Sequence, residues 1–328
     1  MRDDRHGAAN LRIAAPRRDR RGTAGVDILP RHFYSSIPDL RALTRTSHWR
    51  PPMEMVGVIG SEIASQMAFA GECCTPELRA RLKTLDLLAY GTAENGEMGY
   101  GPAEADFLYC FIATRQPKRI VQVGAGFSTA IILKAAADSG YSVELICVDP
   151  FPTDYLKRLS AAGKIRLIPE MAQTVDRNVL VDTGEAGMLF IDSTHTVKVG
   201  SEVNRLILDI LPRLAGGTYV HVHDIYFPYD YARNLLSDPF FHSESTLLHA
   251  FLIFNSRYAL RCSLSMLHYA VPAALQRLLP NYHPQLNDDG LRVPPATGHF
   301  PSATYLEVPS PGAMDRKRAD GVPGNHPD

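Results

Sequence analysis

Acidic and imidazole side chains lie close together at two points of the 328-residue sequence. Asp192 follows the apolar run Met188–Ile191, and His195 stands three positions later, while His223 and Asp224 close a second apolar run. Carboxylate oxygens can hold a divalent cation, and a neutral imidazole beside a hydroxyl is a suitable general base near pH 7. We therefore expect His195, Asp192 and Asp224 to be catalytic, and Asp192, His223 and Asp224 to be candidate metal ligands.

Each of these residues also has a structural interpretation. The two acids could cap helices or fix loops, and His195 could be a structural histidine. His221 and His223 alternate with valines, so the strand period puts both on one face, with His221 favoured as a core group because it is deeper in the strand. His242 and Glu244 could line an acceptor pocket, but a helix cap and an ordinary polar surface are the favoured interpretation.

The elements that would position these groups start at a glycine turn. The apolar run 120–123 predicts a buried strand, Gly124 and Gly126 break it, and residues 128–138 predict a helix capped by Ser128 or Thr129. Such a corner can bind an anion or a nucleotide, because a ligand can approach the glycines and the unpaired N–H groups of the helix start. An ordinary tight turn is the alternative.

Asp149 ends the next predicted strand, about 20 residues beyond the glycines, where an acid in a doubly wound sheet binds a ribose diol. Its alternative is to cap the following helix, with help from Pro150 and Pro152. Thr129 occupies the position at which a dinucleotide-binding turn needs its third glycine, which argues against an NAD-dependent oxidoreductase.

The wider pattern predicts an α/β fold, in which a doubly wound, mostly parallel seven-stranded sheet carries a helical N-terminal cap. The predicted strands are 120–123, 143–148, 165–168, 188–191, 219–223, 258–263 and 304–308. The predicted helices between them are 128–138, 153–162, 171–181 and 199–214. The predicted divisions are a disordered tail over 1–25, the cap over 26–102, the main domain over 103–308 and a second tail over 309–328.

Composition limits the partners and the compartment. A net charge of −1 favours neither nucleic acid nor a membrane surface, and no apolar run reaches the ~20 residues that span a bilayer. The five cysteines include no C-x-x-C pair, which argues against a disulfide framework or zinc site and favours a reducing, cytoplasmic setting. A helical cap could also pack between subunits of a homo-oligomer.

Four motifs in a fixed order resemble the class I S-adenosylmethionine-dependent methyltransferases. They are Val121-Gln-Val-Gly-Ala-Gly-Phe-Ser-Thr129, Ile146-Cys-Val-Asp149, Leu189-Phe-Ile-Asp192-Ser-Thr-His195 and His221-Val-His-Asp224. The likeness covers about residues 103–270 and is closest to a bacterial branch that is usually left without an assigned substrate.

The resemblance implies S-adenosylmethionine as cofactor, with the glycines along its methionine part, Asp149 on its ribose, and Glu170 and Met171 near its adenine. The cofactor set expected in this way is Gln122, Gly124, Gly126, Ser128, Asp149, Glu170, Met171 and Asp192. Gln122 departs from the family, because many members carry an acid at that position.

Metal-dependent O-methyltransferases of this class carry an Asp at the fourth strand end and an Asp-Asn pair at the fifth. Asp192 and Asp224 match the acids, but Ile225 replaces the Asn and cannot bind a metal, so that His223 or His195 would have to substitute for it. His195 stands where these enzymes carry a catalytic Lys. We expect methyl transfer to a small-molecule acceptor, most simply to a hydroxyl oxygen. The alternatives are an N-methyltransferase or a cofactor-binding partner protein without activity.

Overall fold

The computed structural model describes residues 33–237, 241–285, 287–288, 290–292 and 297–310. The tail predicted over 1–25 lies outside the described residues, as does all but 309–310 of the tail predicted over 309–328.

One seven-stranded sheet organises the fold, with the strand order β3-β2-β1-β4-β5-β7-β6. Its strands are β1 (Arg119–Val123), β2 (Glu144–Val148), β3 (Arg166–Ile168), β4 (Met188–Ile191), β5 (Tyr219–Val222), β6 (Ala259–Ser263) and β7 (Thr304–Glu307). Strands β1 to β5 are parallel, whereas β7 runs antiparallel to both β5 and β6. The α/β, doubly wound, mostly parallel sheet is therefore confirmed.

Helices cover both faces of the sheet, which explains why its central strands are mostly apolar. The helices of the described residues are α1 (Leu40–Leu43), which buries no residue, α2 (Ile63–Cys73), α3 (Pro76–Leu82), α4 (Leu87–Asn95), α5 (Pro102–Arg115), α6 (Phe127–Asp138), α7 (Asp154–Ala161), α8 (Arg177–Val181), α9 (Glu202–Arg205), α10 (Glu244–Leu252), α11 (Leu264–Ala270) and α12 (Pro272–Leu278). A π-helical turn (Leu206–Ile210) and a 3-10 turn (Leu211–Arg213) continue α9. A short antiparallel ribbon joins Asn287–Asp288 to Leu291–Arg292.

Three predicted helix boundaries need correction. The helix expected over 171–181 begins only at Arg177, because the side chain of Asp176 caps it by accepting the N–H of Asn178. The helix expected from 199 begins after Ser201, whose hydroxyl accepts the N–H of Asn204.

The third correction concerns the glycine corner. Gly126, with φ +148°, takes the cap position instead of Ser128 or Thr129. Thr129 acts from within the first turn, where its hydroxyl accepts the N–H of Gly126. Both predicted caps therefore lie inside the helix.

Each face of the sheet has its own apolar core. On one face, helices from the predicted cap pack in the same cluster as α5 and α6, as shown by the buried Phe69, Leu108 and Ile131. The other face buries residues of α8, of the π turn and of α10 against β1, β4 and β5. Within the described residues, no helix is long and apolar enough to cross a bilayer. The five cysteines are buried and unpaired.

Candidate functional site

The glycine corner brings the ends of β1 and β4 into direct contact. Gly124 has φ +77°, and a Cβ at this position would lie 1.6 Å from the carbonyl oxygen of Asp192. The N–H of Gly124 also donates to the carbonyl of Val148 at the end of β2. Only glycine fits here, and three strand ends are consequently fixed around one point.

Asp149 joins the two loops that meet at this point. One carboxylate oxygen accepts the N–H of Ala125 at 3.0 Å, and the other accepts the N–H of Phe151 at 2.8 Å. Asp149 is not the cap of α7, because the hydroxyl of Thr153 fills that role by accepting the N–H of Leu156. The carboxylate is therefore held at the mouth of the sheet and not at a helix start.

Two cavities open at this corner, and Gly124, Asp149 and Asp192 line both of them. One has a volume of about 350 Å³ and continues past Asn95, Tyr100 and other residues: Glu97, Met98, Gly99, Ala125, Phe127, Ser128, Phe151 and Thr153. The other, of about 400 Å³, is more apolar and includes Val148, Met171, Ala172, Ser193, Thr194 and Lys198. Residues predicted from separate motifs thus line the same two neighbouring cavities.

Three residues of the predicted cofactor set lie elsewhere. Gln122 is fully buried beneath the turn, where its amide donates to the hydroxyl of Ser128 and its carbonyl accepts the hydroxyl of Thr129. Glu170 is exposed and, unlike Met171, does not line the cavity. Gly126 lines neither cavity and instead faces the side chain of Asn95.

His195 is the centre of a compact ionic cluster. Its Nδ1 lies 2.9 Å from a carboxylate oxygen of Glu244, and its Nε2 lies 3.4 Å from Asp192 and 3.6 Å from Asp224. His195 has φ +57°, and its carbonyl accepts the N–H groups of Ser243 and Glu244 at the start of α10. The strained loop is therefore tied to α10 through both backbone and side chain.

The acids determine the charge of the two histidines. Burial alone would lower the pKa of His195, but hydrogen bonds with Asp192 and Glu244 and the charge of Asp224 raise it well above its ordinary value. His223 lies 3.2 Å from Asp192, and the charges of Asp192 and Asp224 outweigh burial and raise its pKa to about 9. Both shifts favour the imidazolium form of the two rings, whereas a general base at His195 requires the neutral form.

The same contacts act on the acids in the opposite sense. Burial opposes ionisation of Asp192, yet His223 and His195 hold its pKa far below the usual range. Asp224 also has a lowered pKa, because His223 and His195 offset its burial. Burial raises the pKa of Glu244, whose second carboxylate oxygen has no hydrogen-bond partner among the described residues.

The residues arranged to hold a cation differ from the predicted set. One donor atom each of Asp192, His195 and His223 lies within 4.8 Å of the other two, and Asp224 falls outside this group. Asp224 has φ +52°, and its Oδ1 accepts the hydroxyl of Ser302 at 2.8 Å. Within the cluster, Glu244 on Nδ1 of His195 fits the usual support of a metal-binding imidazole.

A third cavity, of about 440 Å³, begins on the other side of this cluster. His223 and Asp224 form its inner wall, and its other lining residues are mainly polar or aromatic: Tyr100, Glu104, Tyr226, Arg233, Asn234, Gln285, His299, Phe300 and Ser302. Glu104 is buried, and His299 and the N–H of Ser302 lower its pKa despite that burial.

The sequence analysis missed Tyr100, Glu104 and Ser302, and it favoured an exposed position for Glu244. Glu244 is fully buried. Glu244 begins α10 directly after Ser243, and this position at a helix start is the local signal that its side chain lies near the preceding loop. His242 packs its ring 5.2 Å from that of His195 and is half-buried.

Comparison with known proteins identifies the middle of the chain. Residues 121–225 match a family model described as a methyltransferase domain. An uncharacterized protein of Archaeoglobus fulgidus is 28% identical over 162 residues, which cover 45% of this chain and 69% of that protein.

Two solved structures are also similar. One is the S-adenosylhomocysteine-bound methyltransferase PaMTH1 of Podospora anserina, with a TM-score of 0.41 and 13% identity over 71% of this chain and 94% of that one. The other is a Klebsiella pneumoniae protein named as a candidate O-methyltransferase, with a TM-score of 0.39 and 14% identity over 70% and 95% of the two chains.

Proposed function

We propose that this chain transfers the methyl group of S-adenosylmethionine to a hydroxyl oxygen of a small molecule. The match of residues 121–225 to a methyltransferase domain supports the proposal. The observation that carries the proposal is the position of the ionic cluster. Asp192 lines the two cavities at the glycine corner, whereas Asp224 lines the third cavity, and His195 contacts both acids.

The two cavities at the corner suit the two ends of the cofactor. Asp149 stands between them, where a carboxylate can accept both hydroxyls of a ribose. The more apolar cavity beside Met171 suits the adenine ring, and the cavity beside Asn95 and Ser128 suits the polar methionine end. The sulfonium would then lie near Asp192, which lines both.

The third cavity suits the acceptor. Its volume fits a small molecule, and its polar lining fits one with several hydrogen-bonding groups. In the reaction, the acceptor oxygen forms a bond to the methyl carbon, and the sulfur–carbon bond breaks with its electron pair passing to sulfur. The protein must hold oxygen, carbon and sulfur in line and exclude water.

Asp224 is the group placed to receive the proton. It faces the acceptor cavity and is ionised, whereas His195 lies behind it as an imidazolium. The hydroxyl proton becomes acidic as the new bond forms, so a carboxylate suffices to take it. His195 and Ser302 then orient Asp224 from opposite sides.

A divalent cation fits the same cluster. Asp192, His195 and His223 would hold it, in exchange for the protons that the two rings otherwise carry. Such a cation would stabilise an acceptor oxygen as it loses its proton. Glu244 would then orient His195 as a ligand, and Asp224 would still receive the acceptor's proton.

Isothermal titration with S-adenosylmethionine tests the cofactor assignment. We expect the full chain to bind and Asp149→Ala to lose most of the affinity, whereas Asp154→Ala, in an exposed acid nearby on α7, should bind as the parent does. Failure of the parent to bind, or unchanged binding by Asp149→Ala, would refute the assignment.

Incubation with methyl-labelled S-adenosylmethionine and separate pools of phenols, sugars and amines tests the acceptor, with mass spectrometry of the products. Label in a hydroxyl compound supports the proposal. Label only in amines would favour an N-methyltransferase, and cofactor binding without any labelled product would favour a non-catalytic binding protein.

A further inference from the structure

Tyr100 stands between the cofactor cavities and the acceptor cavity. Together with Met98 and Gly99, it lines both the 350 Å³ cavity at the glycine corner and the 440 Å³ cavity beyond the ionic cluster. Its side chain is nevertheless only 5% exposed, because it points from the loop before α5 into the sheet. A residue in this place separates the methyl donor from its acceptor.

The hydroxyl of Tyr100 is anchored beneath the site. It lies 2.9 Å from Nε2 of His221, which is fully buried on β5 and lines none of the three cavities. The imidazole of His221 stacks on Phe190, with ring centroids 4.2 Å apart. Its Nδ1 has no hydrogen-bond partner among the described residues, so the buried imidazole forms its side-chain hydrogen bond with Tyr100.

The ring of Tyr100 also covers a member of the ionic cluster. It stacks on His223 with centroids 4.5 Å apart and planes inclined by 24°. The ring also lies 5.8 Å from that of Phe127, in the first turn of α6. The tyrosine ring is thus packed against Phe127, next to the cofactor cavities, and against His223. The hydrogen bond to His221 fixes the position of its hydroxyl.

We propose that Tyr100 is a positioning residue for methyl transfer: its ring forms the wall between the two cavities, and its bond to His221 holds that ring against His223. The role rests on the proposed function, because the wall matters only if a methyl group passes beside it. In-line transfer is sensitive to displacements of about 1 Å, so a loosened wall should slow the reaction more than it weakens cofactor binding.

Histidine signals of the full chain, labelled with ¹³C at Cε1 and recorded at one pH without added metal, test the contact. His223→Gln assigns the His223 signal. Tyr100→Phe and His221→Phe should each shift it, and the double variant should shift it no further, because both substitutions remove the same bond. Tyr100→Leu should give the largest shift, since it removes the stacked ring.

Tyr305→Phe is the matched control. Its ring also packs against His221, at 4.7 Å, but its hydroxyl has no hydrogen-bond partner among the described residues. We expect this variant to leave the His223 signal in place. Additive shifts from Tyr100→Phe and His221→Phe, or an unchanged signal in Tyr100→Leu, would overturn the proposal.

Kinetics with an acceptor identified by the labelling experiment provide the second readout. In Tyr100→Phe and His221→Phe we expect kcat to fall about tenfold while the Kd for S-adenosylmethionine stays within about threefold. An unchanged kcat in both variants would overturn the positioning role. Failure of the proposed function would look different, because the parent chain would then bind no cofactor or give no labelled hydroxyl product, whereas the NMR shifts would persist.

Discussion

Nδ1 of His195 lies 2.9 Å from the carboxylate of Glu244, a residue 49 positions further along the chain. This contact turns Nε2 of His195 towards Asp192 and Asp224 and helps to raise the pKa of the imidazole. His195 is therefore held in orientation by an acid on the ring nitrogen opposite to the one that faces Asp192 and Asp224.

Glu244→Gln should lower the pKa of His195 and slow methyl transfer. The amide keeps the size of the side chain but removes the charge that favours the imidazolium form. NMR titration of labelled histidine measures the pKa. Glu202→Gln is the control for the pKa, because Glu202 accepts the N–H of Thr194 in the same loop, whereas Glu244 bonds to the ring of His195. Equal effects of the two substitutions would contradict the assignment.

Gly124→Ala should abolish cofactor binding and destabilise the fold. Its Cβ would collide with the backbone of Asp192, so the ends of β1 and β4 must separate. Gly140→Ala is the matched control, since Gly140 also has positive φ, +68°, but has nothing within 4 Å of the added Cβ. It should cost only about 1–2 kcal/mol, from the left-handed backbone. Thermal unfolding and calorimetry compare the two, and similar losses in both variants would contradict the collision.

Ionisation of Asp106 on α5 should lower the free energy of unfolding as the pH rises. Burial, and to a smaller extent the charge of Asp86, raises its pKa to about 7. Because this value lies above that of the unfolded chain, about 3.9, the folded state holds the extra proton between these pH values. The stability that this proton provides is present at low pH and is lost as the pH rises through 7.

Asp106→Asn should therefore stabilise the chain above pH 7, by up to about 4 kcal/mol, and the advantage should shrink towards pH 4. Urea unfolding of variant and parent at a series of pH values isolates this contribution from those of Asp192 and Asp224, which act in the opposite direction. A difference that does not vary with pH would rule out titration of Asp106. Asp154→Asn, at an 86% exposed side chain, is the control.

Cobalt(II) should bind to the cluster and give a visible absorption band. Asp192→Asn and His223→Gln should each weaken binding by at least about tenfold, as loss of a direct ligand does, whereas Asp224→Asn should have the smaller effect. Spectrophotometric titration measures the affinities. If Asp224→Asn is as damaging as His223→Gln, then the predicted set with Asp224 is correct and the set with His195 is wrong.

Local sequence patterns were sufficient to predict the strands of the sheet and the polar residues at their carboxyl ends. Strands β1, β2, β4 and β5 are short apolar runs that end in glycine or in a polar residue, so period and composition define them within a residue or so. The four motifs that carried the resemblance lie within residues 121–225, the part of the chain that matches a methyltransferase domain. The helix expected over 171–181 was wrong for most of its length, because the cap at Asp176 competes with a longer apolar pattern.

The sequence by itself determined which groups meet at the mouth of the sheet, since parallel strands must end at the same edge and each strand carries its polar residue directly after its apolar run. Only the tertiary structure decided which contacts those groups make. Glu244, 49 positions from His195, forms a hydrogen bond that helps to raise the pKa of that imidazole, and Ser302, 78 positions from Asp224, donates its hydroxyl to that carboxylate. Tyr100 reaches His221 from 121 positions away. Such contacts depend on the path of the connecting loops, and no local periodicity records that path.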